Sequence, residues 1–164
     1  MKRLLLALSL SALLAACAGN PFGAERVAPG TPREGVIASL GPPTRVLRLD
    51  GGERLQYSTQ PFGKWAWMVD LDPAGRVVRS RQVLTEAEFH RIQPGRWTRD
   101  DIEREFGPPA WIDGVASWTG PVMTYRWQHA DRSDMFYHVY VDPRGVVQRA
   151  HPAMEFVNAP NERN

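Results

Sequence analysis

The chain is predicted to be an α+β protein of two tandem modules, each made of short helices packed on a three- to four-stranded antiparallel sheet. Three observations carry this. Leu40-Gly41-Pro42-Pro43 returns as Phe106-Gly107-Pro108-Pro109. Asp72-Pro73-Ala74-Gly75 returns as Asp142-Pro143-Arg144-Gly145. Between each pair of landmarks runs an apolar alternation of period two. Self-similarity at a fixed spacing marks a repeated supersecondary unit, and two copies are too few for a solenoid. The first halves of the copies superpose at an offset of 66 residues and the second halves at 70. A four-residue insertion is therefore expected in the second copy, within Gly114 to Pro121. The expected boundaries are a signal peptide over 1–16, a lipidated tether over 17–29, a first module over 30–83, a second over 84–157 and a disordered tail over 158–164.

The N-terminus reads as a secretory signal: Lys2 and Arg3, then an apolar run from Leu4 to Leu14, then Leu14-Ala15-Ala16-Cys17. The run is too short to cross a bilayer as a helix. Cys17 is the single cysteine of the chain, so no internal disulfide can form and packing alone must hold the fold. Its place directly after the signal fits lipidation better than redox or metal chemistry.

Ala18 to Pro29 is rich in Gly, Pro and Ala and reads as a tether. Thr31-Pro32-Arg33-Glu34 has the composition of a capping box with proline at the first helical position. Val36, Ile37 and Leu40 form its apolar stripe, and Gly41-Pro42-Pro43 ends it. A strand over Val46 to Leu49, a turn at Asp50-Gly51-Gly52 and a strand over Arg54 to Ser58 follow. Trp65, Trp67, Val69 and Leu71 then alternate with Ala66, Met68 and Asp70, the pattern of a strand with one face in the core. Asp72-Pro73-Ala74-Gly75 has type I turn chemistry, and Arg76 to Val83 returns as the partner strand.

The second module opens with Leu84 to Ile92, where Thr85 and Glu88 stand at capping-box spacing. Thr98 and Asp101 open the next helix, with Ile102 and Phe106 on one face. The acidic run Asp100, Asp101, Glu103 and Glu105 suits a helix N-terminus. Trp111-Ile112, Met123 to Gln128, Met135 to Val141 and Val146 to Arg149 are the expected strands of the second sheet.

Lys2 and Arg3 leave with the signal, so the formal charge of +2 falls to zero and Lys64 is the one remaining lysine. Nucleic-acid binding needs a basic patch, and no run of Lys/Arg supplies one. No Gly-x-Ser-x-Gly elbow, His-Glu-x-x-His pair, phosphate loop or Gly-x-Gly-x-x-Gly fingerprint occurs, so no catalytic residue is assigned and a non-enzymatic role is expected. His129, Asp131, Asp134 and His138 are the residues whose types could ligate a metal. Asp131-Arg132-Ser133-Asp134 is equally ordinary turn composition, and no metal or other cofactor is expected.

The order of lipobox-like Leu14-Ala15-Ala16-Cys17, short tether, Pro29-Gly30-Thr31 opening a helix, Leu40-Gly41-Pro42-Pro43, aromatic strand and Asp72-Pro73-Ala74-Gly75 hairpin resembles the SmpA/OmlA (BamE-like) family of outer-membrane lipoproteins. The doubled module is also similar to the architecture of the β-lactamase inhibitory protein. The family resemblance implies a lipid-anchored, periplasm-facing protein with Cys17 as the lipid-attachment residue. It also implies Ala18 as a residue compatible with outer-membrane delivery, and the β-barrel assembly machinery as a partner. The implied role is a binding or scaffold element in outer-membrane protein assembly or envelope integrity. The similarity to the inhibitor implies an alternative, inhibition of a periplasmic hydrolase.

If Trp67, Val69 and Leu71 face the helices, Met68 faces away, and in the second module so do Phe136, His138 and Tyr140. Such a face is less polar than a solvated sheet surface, and its residue types are those enriched at interface cores. Met68, Phe136, His138 and Tyr140, with Trp118 as a loop anchor, are therefore the candidate partner-binding residues. Packing of the two sheets on one another, or on the linking helix, would hide the same residues.

Overall fold

The computed structural model of the chain describes Gly23 and residues 27–156. Cys17, the signal, most of the tether and the tail over 158–164 lie outside the described residues. Two compact units emerge. The first comprises residues up to Tyr57 with Trp67–Arg81, and the second comprises Ser58–Ala66 with residues from Gln82 onward. The fold is α+β, with one four-stranded antiparallel sheet and short helical segments in each unit.

The first unit contains helix α1 (Arg33–Leu40) and strands β1 (Arg45–Leu49), β2 (Gly52–Ser58), β3 (Ala66–Leu71) and β4 (Val77–Gln82) in the order β1-β2-β3-β4. The expected capping box does not form. Pro32 is the N-cap and offers no side-chain bond, while Thr31 Oγ1 donates to the Ala28 carbonyl at 2.7 Å. A helix start needs its orphan N–H groups satisfied, and here the turn of the same unit serves: Arg33 N–H donates to the Gly75 carbonyl at 2.9 Å. At the other end Gly41 takes φ +82°, a conformation that glycine adopts without strain. Its carbonyl accepts the Tyr57 hydroxyl at 3.1 Å.

Between these two ties, Val36 and Leu40 sink into a core of Leu55, Tyr57, Trp67, Val69, Leu71 and Val77. Val27 belongs to that core as well, so the tether gives way to folded chain before Pro29. On the side of the sheet away from α1, Arg54 and Asp70 form a bidentate pair at 2.5 and 3.0 Å, both largely buried.

The second unit contains α2 (Glu86–Phe89), α3 (Arg99–Phe106), β5 (Trp111–Asp113), β6 (Val122–Gln128), β7 (Asp134–Val141) and β8 (Val147–Met154), with sheet order β5-β6-β7-β8. α2 is one turn rather than the longer helix expected over Leu84 to Ile92. Thr85 Oγ1 accepts the Glu88 N–H, and the turn places Phe89 at the centre of the core. Phe89 stacks on Tyr137 at 3.9 Å and on Phe106 at 5.1 Å, and meets Trp127 edge-on at 5.6 Å. α3 has the capping box of Thr98 and Asp101. Burial alone would raise the Asp101 carboxyl, but the bonds from Thr98 and the Arg104 charge outweigh it and lower its pKa.

The ties of α1 recur on α3. Arg99 N–H donates to the Gly145 carbonyl at 2.8 Å, and the Gly107 carbonyl accepts the buried Tyr125 hydroxyl at 2.8 Å. These equivalences correct the expected insertion. Gly41 and Gly107 are 66 residues apart, Tyr57 and Tyr125 are 68 apart, and Asp72 and Asp142 are 70 apart. The extra residues thus enter as two pairs, one between Gly107 and Tyr125 and one between Tyr125 and Asp142. β8 also runs five residues beyond the expected end at Arg149. Pro152 is tolerated within it because β8 is an edge strand and proline there need not supply an N–H.

Two substitutions test this account by urea unfolding. Phe89→Ala should cost about 3–5 kcal/mol, since it empties the aromatic centre. Tyr125→Phe should cost about 1–3 kcal/mol by stranding the Gly107 carbonyl away from water.

Candidate partner-binding face

In β6 and β7 alternate side chains point to opposite sides of the sheet. Tyr125, Trp127 and Tyr137 meet Phe89 of α2 and Val139 shares their side, which leaves Thr124, Arg126, Phe136, His138 and Tyr140 on the other. The register lines these up in rows. Asp113, Val122, Tyr140 and Arg149 form one row, and Trp111, Thr124, His138 and His151 the next. A third consists of Arg126, Phe136 and Ala153.

The rings on this face touch in sequence. Trp111 packs edge-on to Phe136 at 5.2 Å, and Phe136 lies 6.0 Å from His138. His138 is 5.7 Å from His151, His151 stacks on Tyr140 at 5.4 Å, and Trp118 meets Tyr140 edge-on at 5.6 Å. Trp118 comes from the β5–β6 loop. Its indole N–H donates to the Val141 carbonyl at 3.2 Å, so the residue expected to be a loop anchor is pinned to the sheet. Gly120 permits that close course: a side chain there would begin 2.2 Å from the Val141 oxygen.

Polar groups are threaded through the rings. Thr124 Oγ1 lies 2.9 Å from His138 Nδ1. Arg126 stands over the Phe136 ring at 5.9 Å and pairs with Glu155. The half-buried His138 imidazole has its pKa lowered, first by burial and then by neighbouring His151, against a smaller opposing effect of Asp113.

Four of the five candidate residues, Trp118, Phe136, His138 and Tyr140, are thereby brought together. Met68 is not among them. It lies in β3 of the first unit with 0% of its surface exposed, so it offers a partner nothing in this conformation. Tyr140 is itself mostly covered, whereas Trp111 is 36% exposed. Sequence reasoning missed His151 because the last strand was ended at Arg149, and it gave Arg149 no face because the bulge at the start of β8 shifts the strand's parity. It left Trp111 unassigned because the parity of a three-residue strand is fixed only by its pairing with Thr124. No continuous period of two marks β8, because the bulge beside Val141 puts Val147 on the helix side and Arg149 and His151 on the other.

The metal-type residues do not converge. His129 Nδ1 is 3.1 Å from Asp131 Oδ1 and His129 Nε2 is 3.5 Å from Glu86. Asp134 pairs with Lys64, and His138 sits within the aromatic row. Bonds from Ser133 and then His129 hold Asp131 down at about 2. Among the described residues no group of three or more His, Cys, Asp or Glu is placed to hold a metal.

No family model matches the chain, and no curated protein does. The crystal structure of a DUF4309 family protein (YjgB) from Bacillus subtilis is similar at 15% identity, over 76% of this chain and 79% of that one. Its TM-score of 0.33 is too low for its fold or role to be carried over.

Because folding lowers the His138 pKa, the unfolded chain binds the proton more readily between the folded value and about 6.5. Stability should therefore fall as pH drops below about 6.5, by an amount that His138→Gln removes. Thermal unfolding of both proteins between pH 8 and 5 checks this.

Proposed function

We propose that this chain is a lipid-anchored binding or scaffold protein at the periplasmic face of the outer membrane, serving outer-membrane protein assembly or envelope integrity. Its partner-contacting surface is the helix-free face of the second sheet. The observation that carries the reading is the continuous set of rings from Trp111 through Phe136, His138 and His151 to Trp118, on the side of the sheet that α2 and α3 do not cover. Aromatic residues with arginine are the residue types enriched where proteins meet. The resemblance to the SmpA/OmlA lipoproteins and the sequence Leu14-Ala15-Ala16-Cys17 supply the compartment. A diacylglycerol-bearing cysteine holds more than one chain in the bilayer, which makes such an anchor far firmer than a single acyl group.

Cys17→Ser should shift the protein from the membrane fraction to the soluble periplasm, and mass spectrometry of the native protein should find acyl chains on Cys17. A soluble native protein would sink the anchor. A photo-reactive residue introduced at Trp111 in intact cells should give a discrete adduct with a β-barrel assembly component. The same probe at Arg104, exposed on α3, should not. A hydrolase adduct would instead support the inhibitor alternative, and equal labelling from both positions would overturn the partner face.

A further inference from the structure

We propose that the partner presents a carboxylate, an aspartate or glutamate side chain in an extended protein segment, to Arg149. This rests on the reading of the second sheet's outer face as the partner surface.

Arg149 is exposed on the edge strand β8, directly across from Tyr140. Its guanidinium carbon lies 3.9 Å from the centre of the Tyr140 ring. That ring is held in turn by Trp118 on its edge and His151 against its face. A guanidinium stacked on a fixed ring keeps its N–H donors directed outward around its rim, and loses little further freedom when it binds. Carboxylates match that fork with two parallel hydrogen bonds.

The other charges on this face leave Arg149 available. Arg126 is paired with Glu155 and Asp134 with Lys64. Among the described residues no carboxylate pairs with Arg149. The remaining acid of its row, Asp113, is on β5, with Val122 and Tyr140 between them. The row is thus cationic at its β8 end and anionic at its β5 end. A segment crossing the strands over the rings is favoured with its acidic group at β8. Asp113 repels the reverse orientation.

The test is an NMR titration of the unlipidated mature chain with a capped decapeptide rich in glutamate, beside the same peptide with every glutamate replaced by glutamine. The Arg149 Nε–H and the His151 ring signals should move, and the glutamine peptide should bind at least about tenfold more weakly, as loss of a charge-assisted pair requires. Arg149→Gln should remove the difference between the peptides, and Arg149→Lys should not restore it, since a lysine neither stacks nor forks. Arg144→Gln should leave binding unchanged because Arg144 already pairs with Asp142.

Equal binding of the two peptides, or shifts centred on Arg45 and Arg48 of the first unit, would overturn the proposal. So would a free-state Arg149 signal that changes when the chain is truncated after Phe156, because the chain's own tail would then be the occupant. Partner capture from Trp111 that is indifferent to Arg149→Gln would remove the carboxylate and leave the partner face standing. Glutamate-specific binding at Arg149 without capture from Trp111 would do the converse.

Discussion

Each unit depends on holding an eight-residue helix to its sheet at both ends. A helix of that length is marginal in water by itself, and burial of two apolar residues adds only a few kcal/mol. What fixes it is a pair of ties to its own unit: a turn glycine carbonyl takes the first helical N–H, and a strand tyrosine hydroxyl reaches the carbonyl of the terminating glycine. Gly75 with Tyr57 does this for α1, and Gly145 with Tyr125 does it for α3. The landmarks shared by the two copies are thus the two ends of one clamp. The Asp-Pro-x-Gly turn is part of it because Asp72 Oδ1 accepts the N–H groups of Ala74 and Arg76 at 2.9 Å. Asp142 holds Arg144 and Val146 in the same way.

A clamp that places its helix on one side of the sheet leaves the other side to diverge. With the offsets of the ladders, Arg54 corresponds to Val122 and Asp70 to Tyr140. In the first unit that position pair is a buried ion pair, whose breaking would strand a charge at about 3–5 kcal/mol. In the second it is an apolar residue beside a tyrosine roofed by Trp118 and Arg149. The same backbone geometry therefore carries a buried ion pair in one copy and a set of rings in the other. The cores diverge as well: aliphatic side chains around Trp67 in the first, and rings gathered on Phe89 in the second.

The legible parts of the sequence were those in which local pattern and tertiary demand coincide. Period-two alternation placed Phe136, His138 and Tyr140 on one face, and Thr98 was read as opening a helix that forms. Thr31 failed because the helix starts one residue later: Pro32 is the N-cap, Thr31 Oγ1 bonds to the Ala28 carbonyl instead, and the first helical N–H, of Arg33, goes to the Gly75 carbonyl more than forty residues away. The split of the insertion was hidden for a different reason. A slip of two residues in a strand keeps every side chain on its face, so matching Tyr57 to Trp127 or to Tyr125 gives equally good patterns. Only the hydroxyl that reaches the glycine carbonyl distinguishes them. His151 was lost to Pro152, which reads as a strand breaker unless the strand is known to be an edge.

The same geometry bears on how the second sheet's outer face would meet another molecule. Its rings are carried by strands, and the one loop that contributes is tied down through the Trp118 indole and the close course of Gly120 along Val141. Few side chains remain to be ordered on contact, and each long side chain that must be immobilised at an interface costs about 0.5–1.5 kcal/mol. Arg149 would ordinarily carry such a cost, and its stacking on Tyr140 has already met much of it in the free protein. Rigidity of this kind favours a partner that conforms to the face over one that requires the face to conform. The Tyr140 ring, covered by Trp118, His151 and Arg149, seats the Arg149 guanidinium, and on the proposed face its neighbours are the groups that a partner would touch.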